Sequence, residues 1–260
     1  MYSKTFTRAY KCGIFGWLIC SCQIAPLQNK ESTNPIASTN PPPNTIVDIP
    51  LPEGFTRISY TANSFAHWLR KITLKQDPTV YLYDGRVKAN QEAQYAVMDI
   101  TVGNRDLQQC ADAAIRLRAE YLFEKELYHQ IVFTDNESGE YRFTAPYTRT
   151  RFDAFLPRVF GMCGSASLAK QLHAKILMQM QPGDVLIRGG FPGHAATVMD
   201  MAINQNGEKI YLLSQGYMPA QDIHILKNPT NNISPWYQLT EQGNIQTPEY
   251  TFYDHELKGW

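Results

Sequence analysis

The chain contains 260 residues, and its 24 lysine and arginine residues are balanced by 24 aspartate and glutamate residues. This length is enough for one sizeable domain with its own hydrophobic core, or at most two small domains. A net charge of zero gives no reason to expect nucleic acid as a partner. Plentiful tyrosine and phenylalanine with moderate proline and glycine suit a mixed α/β or α+β protein, and no motif predicts a cofactor.

The first 22 residues have the features of a lipoprotein signal segment. A basic stretch precedes the apolar run at residues 12–20, which is too short to span a bilayer as a mature helix. Ile19-Cys20-Ser21-Cys22 is similar to a bacterial lipobox, so we expect cleavage before Cys22 and lipidation of its sulfur. The alternative is an ordinary secretory signal. In both cases we expect the mature protein to leave the cytoplasm, and in the first we expect it to be lipid-anchored in the cell envelope, periplasmic or at the outer membrane.

Residues 23–50 are rich in asparagine, serine, threonine and proline, and they contain few large apolar residues. Such a segment cannot bury enough surface to order itself. We therefore predict a disordered tether over residues 23–50 and a single globular domain over residues 51–260.

Cys110 lies near the start of a strongly predicted helix over residues 106–127, with Asp106 as its N-cap. The free amides and the dipole at a helix start favour a thiolate and lower the pKa of a cysteine. Cys110 is therefore a candidate nucleophile. The alternative is a small core residue, because Cys110 lies on the apolar side of the helix among alanines.

The segment at residues 183–215 predicts three short strands, the last two joined by a hairpin turn at Asn206-Gly207. If the hairpin turns near residues 205–206, its pairing brings His194, at the start of the second strand, close to Gln215–Tyr217 on the third. A histidine on a strand beside an amide side chain is one half of a cysteine hydrolase site, and the other half is a cysteine at a helix start.

Two alternatives compete with this site. Cys163 precedes a second predicted helix over residues 167–180, so it is either a rival nucleophile or a disulfide partner for Cys110 in an oxidising compartment. A zinc site built from His194, Asp200 and His224 is the other alternative, although these residues lack the close spacing of common zinc motifs.

Candidate substrate-binding residues fall into two groups. Asp112, Arg116 and Glu120 share one face of the Cys110 helix, where they form either a solvated ion-pair ladder or the wall of a polar pocket. Trp236 and Tyr237 belong to an aromatic segment that either lines a groove or packs in the core.

Several motifs resemble a known family. The stretches QCADAAIRLRAEYL, GDVLIRGGFPGHA, MPAQDIHIL and PWY, within about residues 50–257, look like a domain-of-unknown-function family of secreted bacterial proteins, common in Bacteroidetes. More weakly, Pro182-Gly183-Asp184 and Gly193-His194 are similar to the strand motifs of the NlpC/P60 and CHAP papain-like hydrolases. That resemblance implies an α+β fold, an antiparallel sheet with the Cys110 helix packed on it, and an insertion at about residues 124–165.

The resemblance to papain-like hydrolases also implies an activity. The protein is expected to be a cell-envelope thiol hydrolase, an amidase or peptidase, with Cys110 as nucleophile, His194 as base and Gln215 as the third residue. Its substrate would be an amide bond in a peptide, plausibly a peptidoglycan stem peptide. The alternative is a non-catalytic envelope module that binds a glycan or a peptide in the same groove.

Overall fold

The structure is a computed structural model, and it describes residues 42–260 as four α-helices and thirteen strands, with four short 3-10 helices. The helices are α1 (Phe65–Leu69), α2 (Cys110–Glu124), α3 (Arg149–Met162) and α4 (Ser165–Gln171). The strands are β1 (Phe55–Arg57), β2 (Gln94–Val97), β3 (Val132–Thr134), β4 (Glu140–Arg142), β5 (His173–Ala174), β6 (Val185–Arg188), β7 (His194–Asn204), β8 (Lys209–Gln215), β9 (His224–Leu226), β10 (Tyr237–Gln238), β11 (Ile245–Gln246), β12 (Thr251–Phe252) and β13 (Leu257–Gly259). The 3-10 helices are Ile46–Asp48, Tyr128–Gln130, Leu177–Gln179 and Asp254–Glu256. The predicted signal segment, including Cys22, lies outside the described residues.

A nine-stranded sheet organises the described part of the chain. Its central order is β2-β9-β8-β7-β6-β13-β5, while β1 pairs with β7 and β10 with β8. Each of these neighbouring strands runs antiparallel to its partner. The predicted α+β class and antiparallel sheet are therefore confirmed. No helix of the described residues is long and apolar enough to cross a membrane.

Strand β7 is buried along nearly its whole length because both faces of the sheet are covered. On one face, Ala195 packs in a cluster with Ile115 and Ala114 of α2 and with residues of α3 and α4. On the other face, Ala196 and Val198 pack with apolar side chains from the C-terminal part of the chain. This double burial explains why small residues dominate β7, and it fixes α2 against the strand that begins with His194.

Several predicted boundaries are wrong. The helix begins at Cys110 rather than after Asp106, because Gln109 takes the N-cap position and Asp112 closes a capping box with it. The predicted helix over residues 167–180 is only the short α4, which is followed by β5 and a 3-10 turn. The predicted tether also extends too far, since Ile46 and Ile49 are fully buried in the core.

The start of α2 approaches the end of β8 very closely at Gly216. A Cβ atom at this position would lie 2.9 Å from the backbone oxygen of Gln109 and 3.3 Å from the Ala113 side chain. Because real Cβ atoms essentially never come so near a backbone oxygen, only glycine lets the helix start rest at this distance. Gly216 therefore sets the position of Cys110 relative to the strand that carries Gln215.

We predict that Gly216→Ala lowers the free energy of unfolding by about 1–3 kcal/mol, the usual cost of overpacking a close contact. Urea denaturation measures this change. Gly161→Ala is the matched control, since Gly161 lies in α3 with open space around its Cβ position. An alanine there should be neutral or stabilising by up to about 1 kcal/mol. Equal stability of Gly216→Ala and wild type would contradict the close approach.

Candidate active site

Cys110 is the first residue of α2, so it lies even nearer the helix start than the sequence suggested. The start is held by the Asp112 carboxylate, whose Oδ2 accepts a hydrogen bond of 3.0 Å from the Gln109 backbone N–H. The Cys110 side chain is buried, with 9% of the residue exposed. Backbone N–H groups of Ala111 and Ala195 lie near enough to its sulfur to favour the thiolate. The thiol is thus held between the helix start and the first residues of β7.

His194 and Gln215 meet as predicted. The Nε2 atom of His194 lies 2.8 Å from Oε1 of Gln215, and both side chains are buried. A β-bulge at Met199 produces this contact, because beyond it Thr197 lies opposite Ser214 and both site residues fall on one face of the sheet. Without the bulge, the pairing would slip by one residue and Gln215 would point to the opposite face.

The Gln215 amide belongs to a buried polar cluster. Its Nε2 donates a hydrogen bond of 2.8 Å to Oε2 of Glu249, and the same carboxylate oxygen accepts one of 2.6 Å from Nζ of Lys88. The same Nε2 atom of Gln215 also lies 3.4 Å from Nε2 of His224. The NH2 group of the amide therefore faces Glu249 and His224, and its oxygen faces His194. The amide can orient His194, but it has no N–H group left to donate to a substrate oxyanion.

Three aromatic rings pack around the His194 imidazole. The ring centroids of Tyr217, Tyr250 and Phe252 lie 5.1, 4.7 and 5.6 Å from its own. These rings exclude water from the imidazole and restrict its rotation. Arg188 fixes Tyr250 in turn, because its Nη1 donates a hydrogen bond of 3.1 Å to the Tyr250 hydroxyl.

The described residues show no hydrogen bond between the Cys110 sulfur and the His194 imidazole. Their link is the backbone of Ala195, the residue after His194, whose N–H reaches the sulfur. The Nδ1 atom of His194 has no hydrogen-bond partner among the described residues, whereas Nε2 is taken by Gln215. The free ring nitrogen is therefore the one available to receive a proton from a thiol.

The pKa values of both groups favour their neutral forms. Burial, followed by the nearby Asp112 carboxyl, raises the pKa of the Cys110 thiol to about 11, against the opposing effect of the backbone amides. Burial lowers the pKa of the His194 imidazole to about 4, although its hydrogen bond with Gln215 opposes this change. The predicted low pKa of Cys110 is therefore wrong, since desolvation outweighs the helix start.

Cys163 lies elsewhere, at the end of α3, where it packs in the apolar cluster between the helices. It is buried, and burial raises the pKa of its thiol to about 12. Cys110 and Cys163 are both free thiols in the structure. The Cys110 sulfur lies near the backbone of Ala195, the residue after His194, and no comparable link is found for Cys163 among the described residues, so the geometry favours Cys110 over its rival.

The predicted polar face of α2 is a buried network beside two pockets. Arg116 Nε donates a hydrogen bond of 2.8 Å to Glu120. Arg149 donates two hydrogen bonds, of 2.6 and 2.8 Å, to the same carboxylate. Arg116 and Arg149 line adjoining pockets of 430 and 330 Å³, neither of which includes Cys110 or His194 in its wall. Asp112 has no place there, because it is buried and caps the helix.

One further prediction about site residues is wrong, and the alternative zinc site does not form among the described residues. Trp236 is fully buried and donates a hydrogen bond of 2.7 Å to the Pro50 carbonyl, and Tyr237 is buried beside it. Both are core residues that line no groove. The proposed zinc set does not assemble either, because Asp200 is held by Arg57 and Arg70 at 2.8 and 2.6 Å. Among residues 42–260, no cluster of histidine, cysteine and carboxylate side chains is suitable for a metal ion.

A family comparison identifies the domain. The model of Domain of unknown function 4846 matches residues 47–147 and 138–259, which together cover most of the chain. The chain belongs to the DUF4846 family. The predicted membership of a domain-of-unknown-function family is thereby confirmed. No curated protein and no solved structure matches this chain.

Glu249 and Lys88, which belong to the polar cluster around Gln215 in this DUF4846 domain, were not predicted from the sequence. Glu249 lies in a stretch that predicts an edge strand, where a carboxylate is normally solvent-exposed, and Lys88 lies in a polar loop. In the structure, Lys88 is buried, Glu249 is largely buried, and the two form an ion pair of 2.6 Å. No local signal marks these two residues, because strand pairing across the sheet is what brings them to Gln215.

We predict that the domain loses stability in acid through its two buried histidines. Burial lowers the pKa values of His194 and His224 to about 4, from an unfolded value of about 6.5. Each histidine therefore contributes about 3 kcal/mol that is present above pH 6.5 and lost as the pH falls towards 4. Denaturant unfolding at pH 7, 5.5 and 4 measures this loss.

The variant His224→Gln removes one of these two groups, so the loss between pH 6.5 and 4 should shrink by about 3 kcal/mol. His255→Gln is the matched control, since the His255 side chain is 74% exposed at the surface. If His224→Gln and wild type lost stability in parallel, buried neutral histidine would not be the cause.

Proposed function

We propose that this DUF4846 protein is a thiol hydrolase of the cell envelope that cleaves amide bonds, with Cys110 as nucleophile and His194 as general base. The observation that carries the proposal is the hydrogen bond of 2.8 Å between His194 and Gln215, next to a cysteine at the first position of a helix. A nucleophile, a base and an orienting group in this order are the parts of a cysteine hydrolase. A papain-like arrangement of helix and sheet is part of this proposal.

The chemistry begins from a neutral pair. The Cys110 sulfur attacks the carbonyl carbon of the amide while its proton passes to Nδ1 of His194. The C–N bond then breaks, the leaving amine takes that proton, and a thioester remains on Cys110. Water attacks the thioester with His194 again as base, which releases the acid and restores the thiol.

Because both groups are neutral at rest, His194 must accept the thiol proton during the reaction, which an enzyme with a preformed thiolate does not require. A thiol with a pKa of about 11 and an imidazole with a pKa of about 4 do not exchange a proton at rest. Proton transfer must accompany sulfur attack, as in serine hydrolases.

The start of α2 offers the groups that stabilise the oxyanion formed on sulfur attack. Backbone N–H groups of the first turn of a helix have no partners within the helix, and they point out of its N-terminal end. Those of Cys110 and Ala111 lie beside the sulfur. Donors fixed in position before the reaction stabilise developing charge effectively.

The substrate is proposed to be a peptide, plausibly a peptidoglycan stem peptide. Two apolar side chains adjoin the site and are largely exposed, Phe191 in the loop before His194 and Met218 after Tyr217. They offer contact surface for an extended peptide without demanding charge complementarity. The proposed lipid at Cys22 would hold the domain at the envelope, and the following tether would let it reach its substrate.

We predict that purified protein releases new amino groups from peptidoglycan fragments and passes through an acyl adduct on Cys110. Cys110→Ala should abolish release, and His194→Gln should slow it by about 100- to 10,000-fold. Because burial lowers the pKa of His194 to about 4, activity should rise with pH around 4 rather than around 6.5. An amine assay and intact-mass spectrometry provide the measurements.

Cys163→Ala is the matched control, because it removes the other buried thiol of the domain and should leave activity near wild type. Activity retained in Cys110→Ala, or an adduct on Cys163 in place of Cys110, would refute the assignment. Absence of both release and adduct would leave the second candidate function.

That second candidate is a non-catalytic binding module, and the burial of Cys110 is the observation that favours it. Its ligand would occupy the adjoining pockets beside Arg116, Glu120 and Arg149 rather than the surface near His194. The two functions separate in calorimetry with stem peptides and short glycans. Binding lost in Arg149→Ala and retained in Cys110→Ala indicates a module, and the reverse indicates the hydrolase.

We predict that the mature chain carries a lipid on Cys22. Growth with a radiolabelled fatty acid should label the wild type, and Cys22→Ala should lose the label because its acceptor sulfur is gone. Cys12→Ala is the matched control, since Cys12 precedes the predicted cleavage site. Equal labelling of Cys22→Ala and wild type would rule out the anchor.

A further inference from the structure

We propose that Glu249 is a positioning residue, which fixes the orientation of the Gln215 amide and through it the tautomer of His194. A glutamine amide presents an oxygen on one side and an NH2 group on the other, and the two orientations have nearly the same shape. Only one of them lets Gln215 accept a hydrogen bond from His194. The residue that selects this orientation therefore decides which imidazole nitrogen carries the proton.

Glu249 selects it because an ionised carboxylate only accepts hydrogen bonds. Its Oε2 lies 2.8 Å from Nε2 of Gln215, so the NH2 group of the amide must face Glu249. The carboxylate cannot turn away, since Lys88 holds Oε2 at 2.6 Å and Asn90 holds Oε1 at 2.9 Å. Hydrogen bonds to an ionised carboxylate are stronger than those between neutral groups.

His224 supports the same orientation, because it also faces the NH2 group of the amide. Its Nδ1 lies 2.9 Å from the Asp222 carbonyl, which can only accept, so Nδ1 carries the proton. The remaining nitrogen, Nε2, is then a bare acceptor, and it lies 3.4 Å from Nε2 of Gln215. Two acceptors on one side of the amide turn its oxygen towards His194.

The tautomer of His194 follows from this arrangement. Oε1 of Gln215 accepts at 2.8 Å, so Nε2 of His194 carries the proton and Nδ1 keeps its lone pair. Nδ1 is the nitrogen that the described residues leave without a partner. The tautomer stands on geometry alone, while its use as a base towards Cys110 rests on the proposed hydrolase function.

Glu249 reaches this position through the β11–β12 hairpin. The same hairpin carries Tyr250 and Phe252, whose rings pack on the His194 imidazole. One short C-terminal element therefore supplies the orienting carboxylate and two walls of the histidine pocket.

Nuclear magnetic resonance of the full chain with 15N-labelled histidine tests the proposal, with the His194 signals assigned from His194→Gln. The wild type should show a single Nε2–H tautomer for His194 at pH 7. Glu249→Ala should lower the ratio of Nε2–H to Nδ1–H by about 10- to 100-fold, the usual weight of a hydrogen bond to a charged group. Glu249→Asp keeps the acceptor and should restore most of the ratio.

Glu120→Gln is the matched control, because Glu120 is also a largely buried, doubly paired carboxylate but does not contact Gln215. It should leave the ratio unchanged. Should Glu249→Ala fail to fold, Asn90→Ala removes one anchor of the carboxylate and should shift the ratio in the same direction by a smaller factor.

The outcomes separate the two proposals. An Nδ1–H tautomer in wild type, or an unchanged ratio in Glu249→Ala, overturns the role of Glu249 whether or not the protein is an enzyme. A tautomer that shifts as expected, in a protein that forms no adduct on Cys110, supports the role of Glu249 and refutes the hydrolase.

Discussion

The register of the β7–β8 pair is the constraint on which the candidate site depends. Side chains alternate between the two faces of a strand, so a slip of one residue moves a whole strand's side chains to the other face. The bulge at Met199 makes one such slip between the hairpin turn and the site. Because of it, His194 and Gln215 share a face, and α2 rests on the sheet with Cys110 at the start of β7.

Burial at this site opposes the electrostatic effect of the helix start. The first amides of α2 favour a thiolate, but a thiolate in a dry pocket loses its hydration, and the buried Asp112 carboxyl adds to that cost. The net result is a neutral thiol beside a neutral imidazole. In the reaction that we propose for this site, the balance would change only in the transition state, when charge develops beside donors fixed in position.

The helices and strands whose own residues show a clear periodicity or turn were predicted correctly from the sequence. The helix of Cys110 and the three strands around His194 show clear periodicity or turn residues, and the structure contains them. The contact between His194 and Gln215 was also predicted, from a turn placed near residues 205–206. The bulge was not foreseen, although the contact depends on it.

The failures have a common physical cause, which is that tertiary burial overrides what a segment prefers alone. Trp236 looked like a groove residue because aromatic side chains are common in binding sites, yet its ring fills the core under Pro50. The pKa of Cys110 follows its burial rather than its place on the helix. Glu249 carries no signal in its own segment, because its partner Gln215 lies 34 residues away in the chain.

Two buried charge clusters in this domain differ in a way that bears on function. Asp200 is fully buried, and Arg57 and Arg70 satisfy its carboxylate, as expected of a structural ion pair. The cluster around Gln215 is satisfied up to His194, but the imidazole keeps one nitrogen without a partner among the described residues. A core that needed only stability would replace that histidine with an apolar side chain. A buried histidine with an unpaired ring nitrogen costs stability, and this cost is one reason for the proposal that it serves a reaction.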